Sequence, residues 1–137
     1  MLKDCNLFEI DTFKDNRGAL SIVQNGQGSP FPIERIYYLY DAKVTHIRGV
    51  HAHHKLEQVI VAMNGSFQIR LDDGIDSKTL ILDRPNLGLY ICPMIWREVT
   101  PIENGGVCMV MASRVYESED YIHDYDEFIN IVNKHES

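Results

Sequence analysis

The sequence predicts an all-β protein, a sandwich or a barrel, that ends in a short α-helix. About ten short segments rich in strand-forming residues are separated by turns, a spacing typical of such folds. The clearest segment, Ser66–Asp72, alternates strictly between apolar and polar side chains. Only from Tyr121 onward do apolar residues recur at helical spacing. These observations place the whole chain, residues 1–137, in one domain.

The first predicted elements form a β-hairpin. Residues 6–13 give one strand and residues 19–24 the returning strand. Residues 14–18 between them form a tight turn, because asparagine and glycine tolerate a positive φ. The Gly- and Pro-rich residues 25–32 are the clearest loop, and they are too short to link two domains.

A tyrosine-rich strand is predicted next, over residues 34–40. Alternation places Tyr37 on one face and both Tyr38 and Tyr40 on the other. Taken singly, each tyrosine fits an ordinary core or rim position. Residues 48–62 then contain three of the six histidines and run on into an apolar strand.

Strands and turns continue to the C-terminal helix. The dipeptide at residues 64–65, Asn-Gly, predicts a hairpin turn. Asp124, with Glu127 three residues later, resembles a capping box at the start of the helix. We expect the two segments on either side of Pro93 to pair with each other. The predicted strands after residue 72 are residues 78–82, 88–93, 95–99 and 107–112.

Composition restricts the partners and the compartment. The formal net charge of −7 argues against nucleic acid or an anionic membrane as the partner. The N-terminus lacks the pattern of a signal peptide, and no apolar run reaches membrane-spanning length. We therefore expect a cytoplasmic protein with reduced thiols, because its three cysteines are widely spaced and form no CxxC pair: Cys5, Cys92 and Cys108.

The histidine-rich segment carries the candidate chemistry. Side chains at i and i+2 of a strand share a face, so His51 and His53 point the same way, with Arg48 beside them. His54 has the opposite parity and is expected at the surface. Two imidazoles on one face form either a metal-binding element or an acid/base element.

A metal site is the first interpretation to weigh. In cupins, which are double-stranded β-helix (jelly-roll) proteins, the metal pattern is an HxH pair, an acidic ligand and a later histidine. His51 and His53 match, but Gln58 holds the acidic position and Arg97 lies at or beside the last position. A cation there would repel a divalent metal. The sequence thus predicts a cupin pocket without metal, and a metal enzyme that uses Glu57 stays as an alternative.

Proton transfer is the second interpretation. An imidazole has an ordinary pKa of about 6.5 and acts as acid or base at neutral pH. A pair on one face can reach two adjacent substrate carbons, which suits moving a proton along a C–C bond. This interpretation needs no cofactor.

Several segments together resemble the sugar 3,4-ketoisomerase family of cupins. Members of that family act on thymidine-diphosphate-linked 4-keto-6-deoxyglucose and are similar to the C-terminal domain of WxcM-type proteins. The combined RGxHAHxxxxQ pattern is specific, whereas an HxH alone would be weak. The matching segments are residues 48–58 (RGVHAHHKLEQ), 64–65 (NG), 71–74 (LDDG), 15–20 (DNRGAL), 35–38 (RIYY) and 93–98 (PMIWRE).

The resemblance implies a cupin isomerase that works without a metal or another cofactor. The C4 ketone acidifies the C3 hydrogen; a histidine removes it while O4 is protonated, and the reverse steps on an enediol leave the ketone at C3. Family pattern points to His51 and His53 as the acid/base pair, with Tyr37 near the sugar. Which imidazole removes the C3 proton stays open.

The resemblance also assigns binding residues and an assembly. Arg17 and Arg48 are candidates for the pyrophosphate, since guanidinium groups bind phosphate oxygens in pairs. Gln58 and Arg97 are assigned to substrate binding. Family members resemble homodimers that exchange N-terminal strands, so we expect a homodimer, and the predicted N-terminal hairpin is compatible with such an exchange.

The implied product is a 3-keto-6-deoxyhexose linked to dTDP, an intermediate for deoxyamino sugars of surface glycans. Two other functions remain possible for the same pocket. One is a cupin that binds the nucleotide sugar and returns it unchanged. The other is 3,5-epimerisation of the same substrate, which also uses a histidine base.

Overall fold

The computed structural model describes residues 1–136, which form strands β1 to β14 and one α-helix. Two short 3-10 helices, Leu2–Asp4 and Ser118–Asp120, lie outside this set. In chain order the elements are β1 (Asn6–Glu9), β2 (Thr12–Asp15), β3 (Gly18–Ser21), β4 (Gln24–Asn25), β5 (Gly28–Ser29), β6 (Arg35–Leu39), β7 (Arg48–His53), β8 (Gln58–Asn64), β9 (Phe67–Asp72), β10 (Ser77–Leu82), β11 (Leu87–Ile91), β12 (Trp96–Pro101), β13 (Val107–Ala112), β14 (Tyr121–Ile122) and α1 (Tyr125–Glu136).

Two antiparallel sheets of five strands build the fold. Their strand orders are β1-β11-β8-β13-β6 and β10-β9-β12-β7-β14. The main core consists of apolar side chains from both sheets, among them Ile60, Ile69 and Leu89. The predicted all-β jelly roll with a C-terminal helix is therefore confirmed.

The alternation seen in the sequence decides which side chains enter the core. In β9, Phe67, Ile69 and Leu71 are fully buried, whereas Gln68 is exposed. The preceding turn needs a glycine, because Gly65 has a φ of +75° and a Cβ there would lie 3.1 Å from the backbone of the neighbouring chain segment. The turn predicted at residues 64–65 is present, but the predicted hairpin is wrong, because β8 pairs with β11 and β13 whereas β9 pairs with β10 and β12 in the other sheet.

The N-terminal strand differs from the prediction. Residues 6–13 form two strands, because the chain turns away at Ile10, which is buried and donates its backbone N–H to the loop carbonyl of Asn86. β1 pairs with β11, whereas β2 pairs with β3. The predicted hairpin exists as residues 12–21, which we call the arm. Its apolar side chains Phe13 and Leu20 are 62% and 58% exposed.

The predicted pairing around Pro93 is wrong. β11 pairs with β1 and β8, and β12 pairs with β9 and β7, so the two strands lie in different sheets. Residues 92–95 cross between the sheets. Period-two alternation identifies a strand and its faces, but it carries no information about which strand lies beside it.

The C-terminal helix starts later than the spacing indicated. Tyr121 lies in β14, which pairs with β7, and the helix begins at Tyr125. Asp124 caps it, since its carboxylate accepts the backbone N–H of Asp126 at 2.8 Å. Phe128 packs the helix on the outer face of β7 and β12, against Ala52 and Trp96. In the described chain, no helix has the length and hydropathy needed to span a bilayer.

Candidate active site

A cavity of about 570 Å³ opens between the inner faces of the two sheets. Strands β6, β7, β8, β12, β13 and β14 contribute to its wall. Its floor is apolar and includes Ile60, Val99 and Val110. The titratable and polar side chains that line it are Arg35, Tyr37, Arg48, His51, Gln58, Arg97, Cys108, Tyr116, Tyr121 and His123.

Of the predicted histidine pair, His51 lines this cavity and His53 is buried next to it. The rings of His51 and His53 lie 4.6 Å apart, edge to face, and His53 is fully buried. Among the described residues, His51 Nε2 and both ring nitrogens of His53 have no hydrogen-bond partner. His54 is exposed, as its parity predicted. Three imidazole nitrogens at or next to the cavity are thus buried and without a hydrogen-bond partner in the described chain.

Burial keeps both imidazoles neutral. Desolvation, reinforced by the positive charge of Arg97, lowers the pKa of His51 to about 3. The same causes, in the same order, also lower the pKa of His53. A neutral imidazole can accept a proton, so the pair is in the state that a general base requires.

This burial makes the stability of the free protein sensitive to acid. The folded-state pKa of His53 lies below its unfolded value of about 6.5, so the unfolded state binds more protons as the pH falls below that value. The free energy of unfolding should fall there, by up to about 1.4 kcal/mol per pH unit for one histidine. Urea denaturation between pH 7 and pH 5 measures this. His53→Asn should flatten the slope, and an equal slope in the variant would contradict the assignment.

A chain of hydrogen bonds fixes the back of the cavity. The Arg97 guanidinium donates to Gln58 Oε1 and, at 3.1 Å, to the carbonyl of Ile95. Gln58 Nε2 donates in turn to the Tyr37 hydroxyl at 2.8 Å. Arg97 and Gln58 are each 1% exposed. The Gln58 amide therefore connects the Arg97 guanidinium on β12 to the Tyr37 hydroxyl on β6.

Desolvation shifts the pKa values of both outer members of this chain. It lowers the pKa of Arg97 to about 10, so the guanidinium is charged at neutral pH. It raises the pKa of Tyr37, so the phenol stays protonated. In the β7–β12 ladder Arg97 lies directly opposite His51. The cation and the phenol thus flank the histidine pair.

Replacing Gln58 with leucine should destabilise the protein by about 2–4 kcal/mol, because a buried charge and a buried hydroxyl would both lose a partner. Chemical denaturation measures this loss. The matched control is Tyr37→Phe, which removes one hydroxyl and should cost about 1 kcal/mol. Equal losses in the two variants would show that the amide does not hold Arg97.

Two residues that the sequence did not indicate lie on β14 and directly after it. Tyr121 is the cross-strand neighbour of His53, with ring centroids 4.4 Å apart. His123 stacks on Tyr121 and lies 6.1 Å from the ring of His51. The one local signal for a strand here was the alternation of Tyr121 and His123 around the buried Ile122. The helical spacing of the apolar residues that follow made this short alternation hard to recognise.

Arg35 is a third residue that sequence reasoning missed. Its guanidinium lies 5.2 Å from the ring of Tyr37 and 5.6 Å from the ring of Tyr116. It also donates to the Tyr121 hydroxyl at 3.1 Å, while its buried Nε has no partner among the described residues. Arg35 has the same strand parity as Tyr37, and this parity was the available signal. It is a cation held in place at the cavity.

The structure separates the other predicted residues. Arg48 lines the cavity near its mouth, where it is exposed. Arg17 does not reach it within one chain: it lies at the tip of the arm, its side chain is 86% exposed, and it pairs with Asp15. Of the predicted set, His51, His53, Tyr37, Gln58 and Arg97 are brought together.

The three residues of the alternative metal site, His51, His53 and Glu57, do not lie around one point. Glu57 accepts a hydrogen bond from the Tyr90 hydroxyl at 2.6 Å and lines a different cavity. It therefore cannot share one ion with His51 and His53. Within residues 1–136, no cluster of three or more His, Cys, Asp or Glu side chains is placed to bind a metal.

A jelly-roll barrel that holds a histidine pair from one strand inside its cavity is a cupin. Over residues 3–133 the sequence matches the family described as FdtA, WxcM-like, C-terminal, and the chain belongs to that family. The resemblance on which the sequence analysis relied is thereby confirmed.

Relatives of known activity are similar along most of their length. A TDP-4-oxo-6-deoxy-α-D-glucose 3,4-oxoisomerase from Aneurinibacillus thermoaerophilus is 43% identical over 120 residues, which cover 88% of this chain and 86% of the relative. A solved 3,4-ketoisomerase from Helicobacter canadensis is 46% identical, with a TM-score of 0.92 and coverage of 95% and 98% of the two chains. The chain is accordingly an isomerase.

A third relative has been solved with a nucleotide bound. QdtA, a sugar 3,4-ketoisomerase from Thermoanaerobacterium thermosaccharolyticum, forms a complex with TDP. It is 37% identical, has a TM-score of 0.93, and the match covers 98% of each chain. A histidine-to-asparagine mutant of QdtA has also been crystallised with TDP-4-keto-6-deoxyglucose.

Proposed function

We propose that this chain converts dTDP-4-keto-6-deoxyglucose into its 3-keto isomer by metal-free proton transfer. The observation that carries the proposal is the pair of neutral imidazoles, 4.6 Å apart, of which His51 lines the cavity and His53 is buried next to it. The relatives support the substrate, because QdtA was crystallised both with TDP and with TDP-4-keto-6-deoxyglucose. The metal-dependent alternative is less well supported, since Glu57 faces away.

The proposed reaction moves hydrogens between two adjacent carbons. The C4 ketone acidifies the C3 hydrogen, and one neutral imidazole accepts it as O4 gains a proton, which gives an enediol. The enediol then loses the O3 proton and gains a proton at C4, which leaves the ketone at C3. Atoms and electrons balance without an oxidant or a cofactor.

The residues around the pair have supporting roles in this proposal. Tyr37, a protonated phenol held by Gln58, donates a hydrogen bond to a sugar oxygen. Arg97, opposite His51, stabilises negative charge that develops on O4. Gln58 holds both of these residues in place.

The diphosphate needs cations at the mouth of the cavity. Arg48 is one candidate, as the sequence predicted, and the structure adds Arg35. Arg17 would take part only from a second subunit, because the arm that carries it projects away from its own barrel.

We propose a homodimer in which the arm of each subunit packs on its partner. β6 is the last strand of its sheet, and its outward-facing side chains Ile36 and Tyr38 are exposed. The arm presents Phe13 and Leu20, which are also exposed. An edge strand and an apolar hairpin are complementary surfaces, since each leaves apolar area and backbone groups uncovered.

We further propose that the enzyme works in the cytoplasm and supplies a 3-keto sugar for amination in deoxyamino-sugar biosynthesis, for a surface glycan. All three of its cysteines are unpaired and buried, which fits a reducing compartment.

Incubation with dTDP-4-keto-6-deoxyglucose in D₂O, followed by NMR, tests the function. We expect a 3-keto product that carries deuterium at C4, and recovered substrate that carries deuterium at C3. The activity should persist in excess EDTA. Deuterium at C5 would instead indicate a 3,5-epimerase. Binding without exchange or product would indicate a binding protein and would contradict the proposal.

A further inference from the structure

The cavity carries positive charge without a visible counter-charge. Arg35, Arg48 and Arg97 line it from three different strands, and no Asp or Glu side chain of the described residues does so. Arg97 bonds only to neutral oxygens, those of Gln58 and Ile95. This concentration of cations is unexpected in a chain with a net charge of −7.

The histidines face this charge from every side. Among the described residues, the ionisable groups that line the cavity around them include no carboxylate: they are Arg35 and Tyr37 on β6, Arg48 on β7, Arg97 on β12, Cys108 on β13, Tyr116, Tyr121 on β14 and His123 directly after β14. Gln58 on β8 is neutral. A proton placed on either imidazole would add a charge to a buried positive environment.

This environment conflicts with the proposed chemistry. A base that removes the C3 proton becomes an imidazolium, and it must hold that proton until C4 or an oxygen accepts it. In the free cavity an imidazolium has no anion beside it. The pKa of both histidines is depressed for this reason as well as by burial. An anion is needed when the reaction begins.

We propose that the diphosphate of the bound nucleotide sugar is that counter-ion, so that the substrate itself allows the histidine pair to hold a proton. The inference rests on the proposed function and deepens it. It assigns the diphosphate a role in the chemical step as well as in binding, and it makes a doubly charged diphosphate diester the substrate class.

Arg35 provides the physical connection. Its guanidinium is clamped between two tyrosine rings and donates to the Tyr121 hydroxyl at 3.1 Å. The ring of Tyr121 in turn contacts both His53 and His51, at 4.4 and 5.0 Å. The Nε of Arg35 is buried and has no partner among the described residues, and a guanidinium binds phosphate oxygens through its N–H groups. An anion there would cancel one cation that disfavours the imidazolium.

Histidine NMR of the native protein with dTDP-glucose tests the inference. This ligand has a 4-hydroxyl in place of the ketone, so it does not react, and its diphosphate diester does not titrate near neutral pH. We expect the signals of His51 and His53 to stay neutral above pH 5 in the free protein. Saturation with dTDP-glucose should raise at least one of these pKa values by about one unit or more.

Two results would contradict the proposals, one the inference alone and the other the proposed function. Binding of dTDP-glucose with unchanged or lowered imidazole pKa values overturns the inference and leaves the proposed function intact. Failure of dTDP-glucose to bind at all would overturn the proposed function itself. Proton uptake on binding, measured by calorimetry in two buffers of different ionisation enthalpy, gives an independent readout.

A variant with one cation removed should reproduce part of the ligand effect. Arg35→Met is expected to raise the imidazole pKa values of the free protein and to reduce the further shift caused by dTDP-glucose. Arg84→Met is the matched control, because Arg84 is exposed in the turn before β11 and outside the cavity. Equal values in the two variants would show that Arg35 does not connect the anion to the histidines.

Discussion

Replacing His51 or His53 with asparagine is expected to lower turnover of dTDP-4-keto-6-deoxyglucose by about 10²–10⁴-fold. Asparagine keeps polarity and much of the volume of the imidazole, but it cannot accept and release a proton near neutral pH. The affinity for TDP should stay within about threefold, because the nucleotide is bound by other residues. Turnover is followed by NMR of the product and affinity by calorimetry.

His54→Asn is the matched control for both variants. It makes the same substitution one residue further along the chain, where the side chain is exposed and faces away from the cavity. Near-native turnover in this control would show that the losses belong to the inner face of β7. Retained turnover in both His51→Asn and His53→Asn would refute the acid/base assignment.

The same variants distinguish the roles of the two imidazoles. A variant that still exchanges the C3 hydrogen with D₂O, but forms no 3-keto product, has kept the base that acts at C3 and lost the group that acts at C4 or the oxygens. Loss of exchange identifies the C3 base directly. If one histidine performs every transfer, only one of the variants should lose both activities.

The positions of most strands were predictable from the sequence, whereas the pairing between strands was not. Burial on one face imposes alternation, so β9 and the face shared by His51 and His53 followed from residue parity alone. Pairing across a jelly roll depends on contacts between segments far apart in the chain. For that reason the predicted pair around Pro93 was wrong, and the split of residues 6–13 into β1 and the arm was not foreseen.

The candidate active site likewise combines residues that the sequence indicated with contacts that it did not. His51 and His53 were indicated by a local pattern and Tyr37 by the family resemblance, and the structure places His51 and Tyr37 at one cavity with His53 buried next to His51. Tyr121 was assigned to the helix because β14 has only two residues, too few for alternation to be recognised. The link from Arg97 to Gln58 joins residues 39 positions apart, and no local pattern can reveal such a contact.

The second large effect concerns Arg17 and the arm. If the arm packs on the partner's barrel, each active site combines histidines from one subunit with Arg17 of the partner subunit. Arg17→Ala should then lower kcat/KM by about 10–100-fold, through the lost charge-assisted contact to phosphate. The fold of the Arg17→Ala variant should be unchanged, because Arg17 is exposed and its side chain bonds to Asp15 on the same hairpin.

Mixed dimers separate this arrangement from one in which Arg17 acts within its own subunit. His53→Asn and Arg17→Ala subunits, co-expressed with different tags and purified through both, form a heterodimer with two kinds of site. If the arm is exchanged, one site has both defects and the other has none, so activity per dimer should return to about half of the native value. If Arg17 acts in its own subunit, each site has one defect and activity stays low. Restoration therefore requires that the arm reach the partner, because no other arrangement places a native histidine pair and a native Arg17 in the same cavity.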